Sequence, residues 1–196
     1  MKKALAIAAA LMFASPAWAG PDEPVKAIMD LASQLWSDKP PEGKDYFDKD
    51  HIVLFSKDFV TAYREAEKYP IYDEGGGPFG YDVITNSQDG CPLKDMAIVA
   101  APETAGVSDV KVTFKLMSCY AEDPGKDTVS EVHFDVLTED GKPVISDIHR
   151  IIDGKPDSLV KEMKEIAKTG AETPAEPPAA DDPKQNSGQQ QESQPQ

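Results

Sequence analysis

EVHFDVLTEDGKPVISDIHRII, Glu131 to Ile152, decides how this chain folds. Val132, Phe134 and Val136 alternate with Glu131, His133 and Asp135, the period of a strand with one face buried. Asp140-Gly141 is a tight hairpin turn, because both residues tolerate the positive φ that such turns require. A second strand follows around Val144 to Ile152. The stretch is therefore one antiparallel hairpin, and its alternation puts Glu131, His133 and Asp135 on one face of the first strand. Asp147 and His149 share one face of the second.

Upstream, Val110, Val112, Phe114 and Leu116 alternate with Lys111, Thr113 and Lys115 in another half-buried strand, and Met96, Ile98 and Ala100 suggest one more. Before these the period is helical. Asp22, Glu23 and Pro24 suit a first turn, and Val25, Ile28, Ala32, Leu35 and Trp36 recur at helical spacing up to Lys39-Pro40-Pro41. Ser56 is an N-cap for a second helix carrying Phe59, Ala62, Tyr63, Ala66 and Tyr69, closed by Pro70. Leu159, Met163 and Ile166 mark a closing helix, with Gly170 as its C-cap. The fold class read from this order is α+β: N-terminal helices packed on a curved antiparallel sheet of about four strands, with a C-terminal helix.

The ends of the chain carry different signals. Residues 1–19 read as a secretory signal peptide, with Lys2 and Lys3, an apolar run from Ala4 to Ala14, and Ala17-Trp18-Ala19 as cleavage site. Residues 20–169 are then a single domain of about 150 residues. Residues 170–196, rich in Pro, Gln and acids, have nothing to bury against the entropy of ordering and read as a disordered tail. A periplasmic or secreted location follows. The chain carries a net charge of −15, and loss of Lys2 and Lys3 takes it to −17. That acidity argues against nucleic acid and anionic membranes as partners. It favours solubility or a cationic partner.

Cys91 and Cys119 are the two cysteines of the chain. In an oxidising compartment such a pair is most simply a disulfide, worth roughly 3 kcal/mol in the chain-entropy model. No redox C-x-x-C, G-x-S-x-G, Walker loop, dinucleotide fingerprint or metalloprotease helix motif is present. The acid- and amide-rich DVITNSQDG does not match the regular calcium loop, and Gly75-Gly76-Gly77-Pro78 lacks the Gly-Lys-Ser/Thr of a phosphate cradle. No cofactor and no metal is expected. His133, His149 and their acidic neighbours would gather on one sheet face if the hairpin pairs. They would form either an acid–base or zinc group or a solvent face of charge pairs.

Two short elements carry a family resemblance. Gly80 to Asp89, GYDVITNSQD, resembles an "fDpi..gQD" element, and Ile145-Ser146-Asp147-Ile148, followed by Ser158-Leu159, resembles an "I.DI" element. Phe55 to Phe59, FSKDF, is similar to the entry of that family's second helix. The family is an uncharacterised bacterial envelope domain family, and Pro143 stands here where its members often carry Trp. The resemblance implies the cone-shaped fold of nuclear transport factor two. It also implies Asp82, Gln88, Asp89 and Asp147 as residues of a binding surface for a polar ligand or a partner's basic side chain, and homodimerisation through the sheet. A scaffold role, in which these residues bond nearby backbone, is the other reading. The functional expectation is a non-enzymatic binding or interaction protein of the periplasm, concerned with envelope maintenance or neutralising a partner. A small pocket enzyme using Asp and His acid–base groups is the alternative.

Overall fold

The computed structural model describes residues 20–71 and 76–172. Residues 1–19, expected as a signal peptide, Gly75, and residues 173–196 of the expected tail lie outside the described residues. The chain runs α1 (Asp22–Leu35), α2 (Lys57–Ala66), β1 (Lys94–Ala100), β2 (Val107–Lys115), β3 (Val129–Glu139), β4 (Lys142–Ile152), β5 (Lys155–Pro156) and α3 (Leu159–Glu172), with a single 3-10 turn at Ile52–Leu54. One antiparallel sheet holds the strands in sequence order. There are five strands rather than four, since Lys155-Pro156 turns back on the end of β4 as a two-residue pair.

The hairpin forms as its sequence dictates: Asp140 and Gly141 have φ of 50° and 77°, the left-handed pair of a turn whose twist matches the strands. Register then sorts the side chains. Val110, Phe134 and Ile148 lie in one cross-strand row, and Val112, Val132 and Arg150 in the next. All six are buried. Between Asp135 and Val136 the register slips, so Ser146 is an extra residue opposite β3. This bulge buries Ile145 and Ile148 alike despite their odd spacing.

The helices cover the inner face through the stripes seen in the sequence. Val25, Ile28 and Ala32 of α1, and Phe59, Ala62, Tyr63 and Ala66 of α2, are buried. Ser56 caps α2, accepting from the Phe59 amide at 3.2 Å. Its own amide donates to Ile145 O at 2.8 Å, tying α2 to the free edge of β4. Three boundaries differ from expectation. Helix α1 ends at Leu35, several residues before the prolines, and α2 at Ala66. Helix α3 runs through Gly170 to Glu172 instead of being capped there. A Cβ at Gly170 would overlap the Tyr69 ring, so this glycine serves the α2–α3 crossing rather than a left-handed cap.

Cys91 and Cys119 form a disulfide with a Cα separation of 5.7 Å. The Cys91 amide donates to Leu116 O at 2.7 Å, so the bridge fixes the entry to β1 against the end of β2. The bridge spans 28 residues. Replacing both cysteines by serine is expected to lower the unfolding free energy by about 3.5 kcal/mol, read from urea unfolding at neutral pH.

Candidate functional site

The loop that the sequence marks as dense in polar residues is organised by one carboxylate. Asp82 Oδ1 accepts from the amides of Ile84 (2.9 Å) and Thr85 (2.8 Å) and from Thr85 Oγ1 (3.2 Å). Its Oδ2 accepts from Tyr46 Oη at 2.7 Å and Trp36 Nε1 at 3.0 Å. Five donors from α1, the following loop and the turn itself thus converge on one ionised group, the arrangement in which hydrogen bonds are strongest. Burial first, and then the charge of Asp82, push the Tyr46 phenol above its ordinary range. The phenol is a permanent donor.

Gln88 and Asp89 are exposed. Gln88 Nε2 donates to Gly80 O, closing the loop on itself, and Ser87 Oγ donates to Asp89 O at 2.7 Å. Gly90 completes the element: a Cβ there would sit 2.8 Å from Trp36 and closer still to Leu116. Residues 80–90 are thereby bonded to their own backbone and to Trp36 and Tyr46, with Asp82 at the centre.

Asp147 belongs to a second network. Its Oδ1 accepts from the Ile148 amide (2.8 Å) and the Val160 amide (3.0 Å), and its Oδ2 from Ser158 Oγ. Ser158 Oγ in turn accepts from the Lys161 amide at 3.1 Å. The pair caps the N-terminus of α3, which favours negative charge. No hydrogen bond among the described residues joins Asp82, Gln88 or Asp89 to Asp147. The four expected site residues do not form one bonded cluster.

What the hairpin does gather is the outer sheet face. Asp109, Asp135 and Asp147 lie opposite one another across β2, β3 and β4, and Lys111, His133 and His149 form the adjacent row. Three aligned carboxylates would repel; the neighbouring row offsets this. His133 Nδ1 bonds Asp109 Oδ1 at 2.9 Å and its Nε2 bonds Glu131 Oε1 at 2.9 Å. His149 Nε2 bonds Asp135 Oδ2 at 3.0 Å, while its Nδ1 bonds the carbonyl of Asp157. Both nitrogens of each ring face acceptors, an arrangement that favours the imidazolium form. The hydrogen bond to Asp135 outweighs burial and, with the Asp157 carbonyl, lifts the His149 pKa from 6.5 to about 9. Burial works against the charge of His133, but Glu131 and Asp109 outweigh it and raise that pKa as well. Glu131 is held below its ordinary range, chiefly by His133. Among the described residues no group of three or more His, Cys, Asp or Glu has the geometry to hold a metal.

On the inner face the sequence concealed a third cluster. Arg150 is 3% exposed. Its Nε donates to Asp157 Oδ2 at 2.8 Å, one terminal nitrogen to Asp157 and Glu162 (2.6 Å), and the other to Tyr81 Oη. The guanidinium also stands 5.0 Å from the Tyr81 ring centroid. Burial disfavours the charge, yet Asp157, Tyr81 and Glu162 together outweigh it and raise the pKa. Arg150 occupies an inward position of a strand whose alternation would assign it an apolar neighbour. The signal in the sequence is that mismatch: an arginine two residues after buried Ile148.

No family model matches the chain, and no curated protein or solved structure does either.

Two outcomes follow from this geometry. Asp82→Asn keeps the shape but turns an amide toward donors; it is expected to cost about 3 kcal/mol, as for a charged acceptor lost from partly buried donors, with the unfolding followed by Trp36 fluorescence. The His149 pKa is raised on folding, so its contribution to stability is complete below pH 6.5 and is lost as pH rises through about 9. Urea midpoints of the wild type should therefore fall across that window, and His149→Gln should flatten the fall.

Proposed function

We propose that the protein is a non-enzymatic interaction protein of the periplasm, engaging a partner through the outer face of β2, β3 and β4. The observation that carries this reading is the pair of charge rows, Asp109–Asp135–Asp147 against Lys111–His133–His149. Such a face presents closely paired, directional polar groups, suited to specificity and rapid encounter rather than to chemistry. Its balance of signs suits a polar partner surface, and equally a second copy of the same face.

The compartment is supported by the signal-peptide pattern at residues 1–19 and by the Cys91–Cys119 bridge. No helix among the described residues is long and apolar enough to cross a membrane. The order of two helices, an antiparallel sheet and a closing helix supports placing the fold beside the cone of nuclear transport factor two. Within the reading, Asp82 and Gln88 are scaffold residues, Asp89 lies exposed on the loop, and Asp147 joins the binding face while capping α3.

One observation favours the alternative, a small acid–base enzyme: His149 and Asp135 are hydrogen-bonded at 3.0 Å. A general base near pH 7 needs a neutral ring with a free nitrogen. Here both nitrogens face acceptors and the pKa is about 9, which favours the interaction reading.

Asp109→Asn with Asp135→Asn removes two charges from the acid row at nearly constant shape. The double variant is expected to keep its circular dichroism spectrum and lose the partners retained from periplasmic extract, with sedimentation velocity reporting a second copy. Retention of every partner by the double variant, with loss on truncation after Glu172, would move binding to the C-terminal segment and refute the assignment to the sheet.

A further inference from the structure

A second site lies across the molecule from any role of the sheet face, in the cleft between the end of α1, residues 44–47 and residues 77–83. It encloses about 220 Å³, less than the roughly 300 Å³ at which pockets for drug-sized ligands begin. The space suits one side chain or a small solute. Five of its lining residues are aromatic: Tyr46, Phe47, Tyr63, Phe79 and Tyr81. The rings form a continuous wall, with Phe47–Tyr63 centroids at 4.3 Å, Phe47–Phe79 at 6.3 Å and Phe79–Tyr81 at 6.0 Å.

Both ends of this wall already hold a cation. Arg64 stands 5.4 Å from the Tyr63 centroid and Arg150 stands 5.0 Å from that of Tyr81. No such cation among the described residues faces Phe79, which is only partly buried. The charge in the lining is negative in balance. Asp45 is exposed at the rim, and the Asp82 carboxylate also lines the cleft. The single lining lysine, Lys44, is directed to carboxylates outside the cleft, with Asp50 at 3.1 Å and Asp48 at 3.9 Å.

We infer that this cleft binds an organic ammonium cation, seated against Phe79 and neutralised by Asp45. Aromatic faces attract a desolvated cation through their quadrupole, and a carboxylate at the rim adds Coulomb attraction in a partly dry site. Tyr63 registers the charge of Asp45. Burial first, then the charges of Glu67 and Asp45, push the Tyr63 phenol above its ordinary range. Anions are disfavoured by the same lining, and a neutral solute of equal shape would gain the apolar contact without the charge.

The test uses the purified protein, isothermal titration calorimetry and amide chemical-shift mapping. The probes are choline, its neutral isostere 3,3-dimethylbutan-1-ol, and the blocked peptide acetyl-Gly-Lys-Gly-amide. Choline or the peptide should bind saturably and shift amides of residues 44–47 and 79–83, and the neutral alcohol should not. Tighter choline binding assigns the cation to a free solute, tighter peptide binding to a lysine of a partner; either result supports the site. Phe79→Leu keeps the apolar volume and Asp45→Asn keeps the bond accepted from the Phe47 amide at 2.9 Å. Each should weaken binding about fivefold. Asp140→Asn, a charge removed from the distant β3–β4 turn, should leave it unchanged. Equal binding of the alcohol, absence of saturation with both cations, or equal loss in the Asp140 variant would overturn the proposal.

Discussion

A guanidinium taken out of water is the constraint around which the free edge of this sheet is arranged. Isolated, a charge buried in an apolar interior is strongly disfavoured, so its hydrogen-bonding groups must be met from several directions. Arg150 on β4 meets Asp157 just after β5, Glu162 on α3 and Tyr81 in the loop before β1. The loop before β1, 69 residues away, is therefore held at one point with β4 and the start of α3. Asp157 further accepts from the Arg150 amide at 2.6 Å, so the same residue satisfies side chain and strand edge together. The edge of β4 is covered along its length by Phe55-Ser56, by residues 157–160 and by β5. An uncovered edge would be a template for unwanted pairing.

Asp82 plays the corresponding part on the other side of the fold. It joins Trp36 at the end of α1, Tyr46 in the following loop and the amides of residues 84 and 85. Its neighbour in sequence, Tyr81, belongs to the Arg150 cluster. The loop of residues 80–90 is thus the junction of two charged centres, with the disulfide at Cys91 fixing its exit. The polar richness of that loop reflects anchoring. The ion-paired outer face and the aromatic cleft are held in place by these anchors.

Much of this was legible in the chain. Alternation in β2, β3 and β4 named the buried rows, because a strand repeats every two residues. Asp140-Gly141 fixed the pairing, and pairing set His133 opposite His149. Ser56 announced α2 through its hydroxyl. The roles of Asp82, Gln88 and Asp147 were less legible, since an acid that caps backbone and an acid that binds a ligand have the same letter. Arg150 was not singled out at all: its partners lie at Tyr81, Asp157 and Glu162, and no local pattern links them. Gly170 misled for a similar reason. A glycine near a helix end suggests a left-handed cap, yet here the crossing of Tyr69 requires the missing Cβ.

By itself, then, the sequence determined the three helices, four of the strands and their order, the inward and outward faces of β2 and β3, and the pairing of the two cysteines. These depend on period, turn chemistry and redox compartment, all of which act over short range. Only the tertiary structure decided what each polar residue does. It made Asp82 and Asp147 into caps, set acceptors against both nitrogens of each sheet histidine, and concentrated five rings and a rim carboxylate in one cleft. The reason is that ionisation and hydrogen bonding depend on neighbours brought together across tens of residues, and register, bulge and helix crossing choose those neighbours.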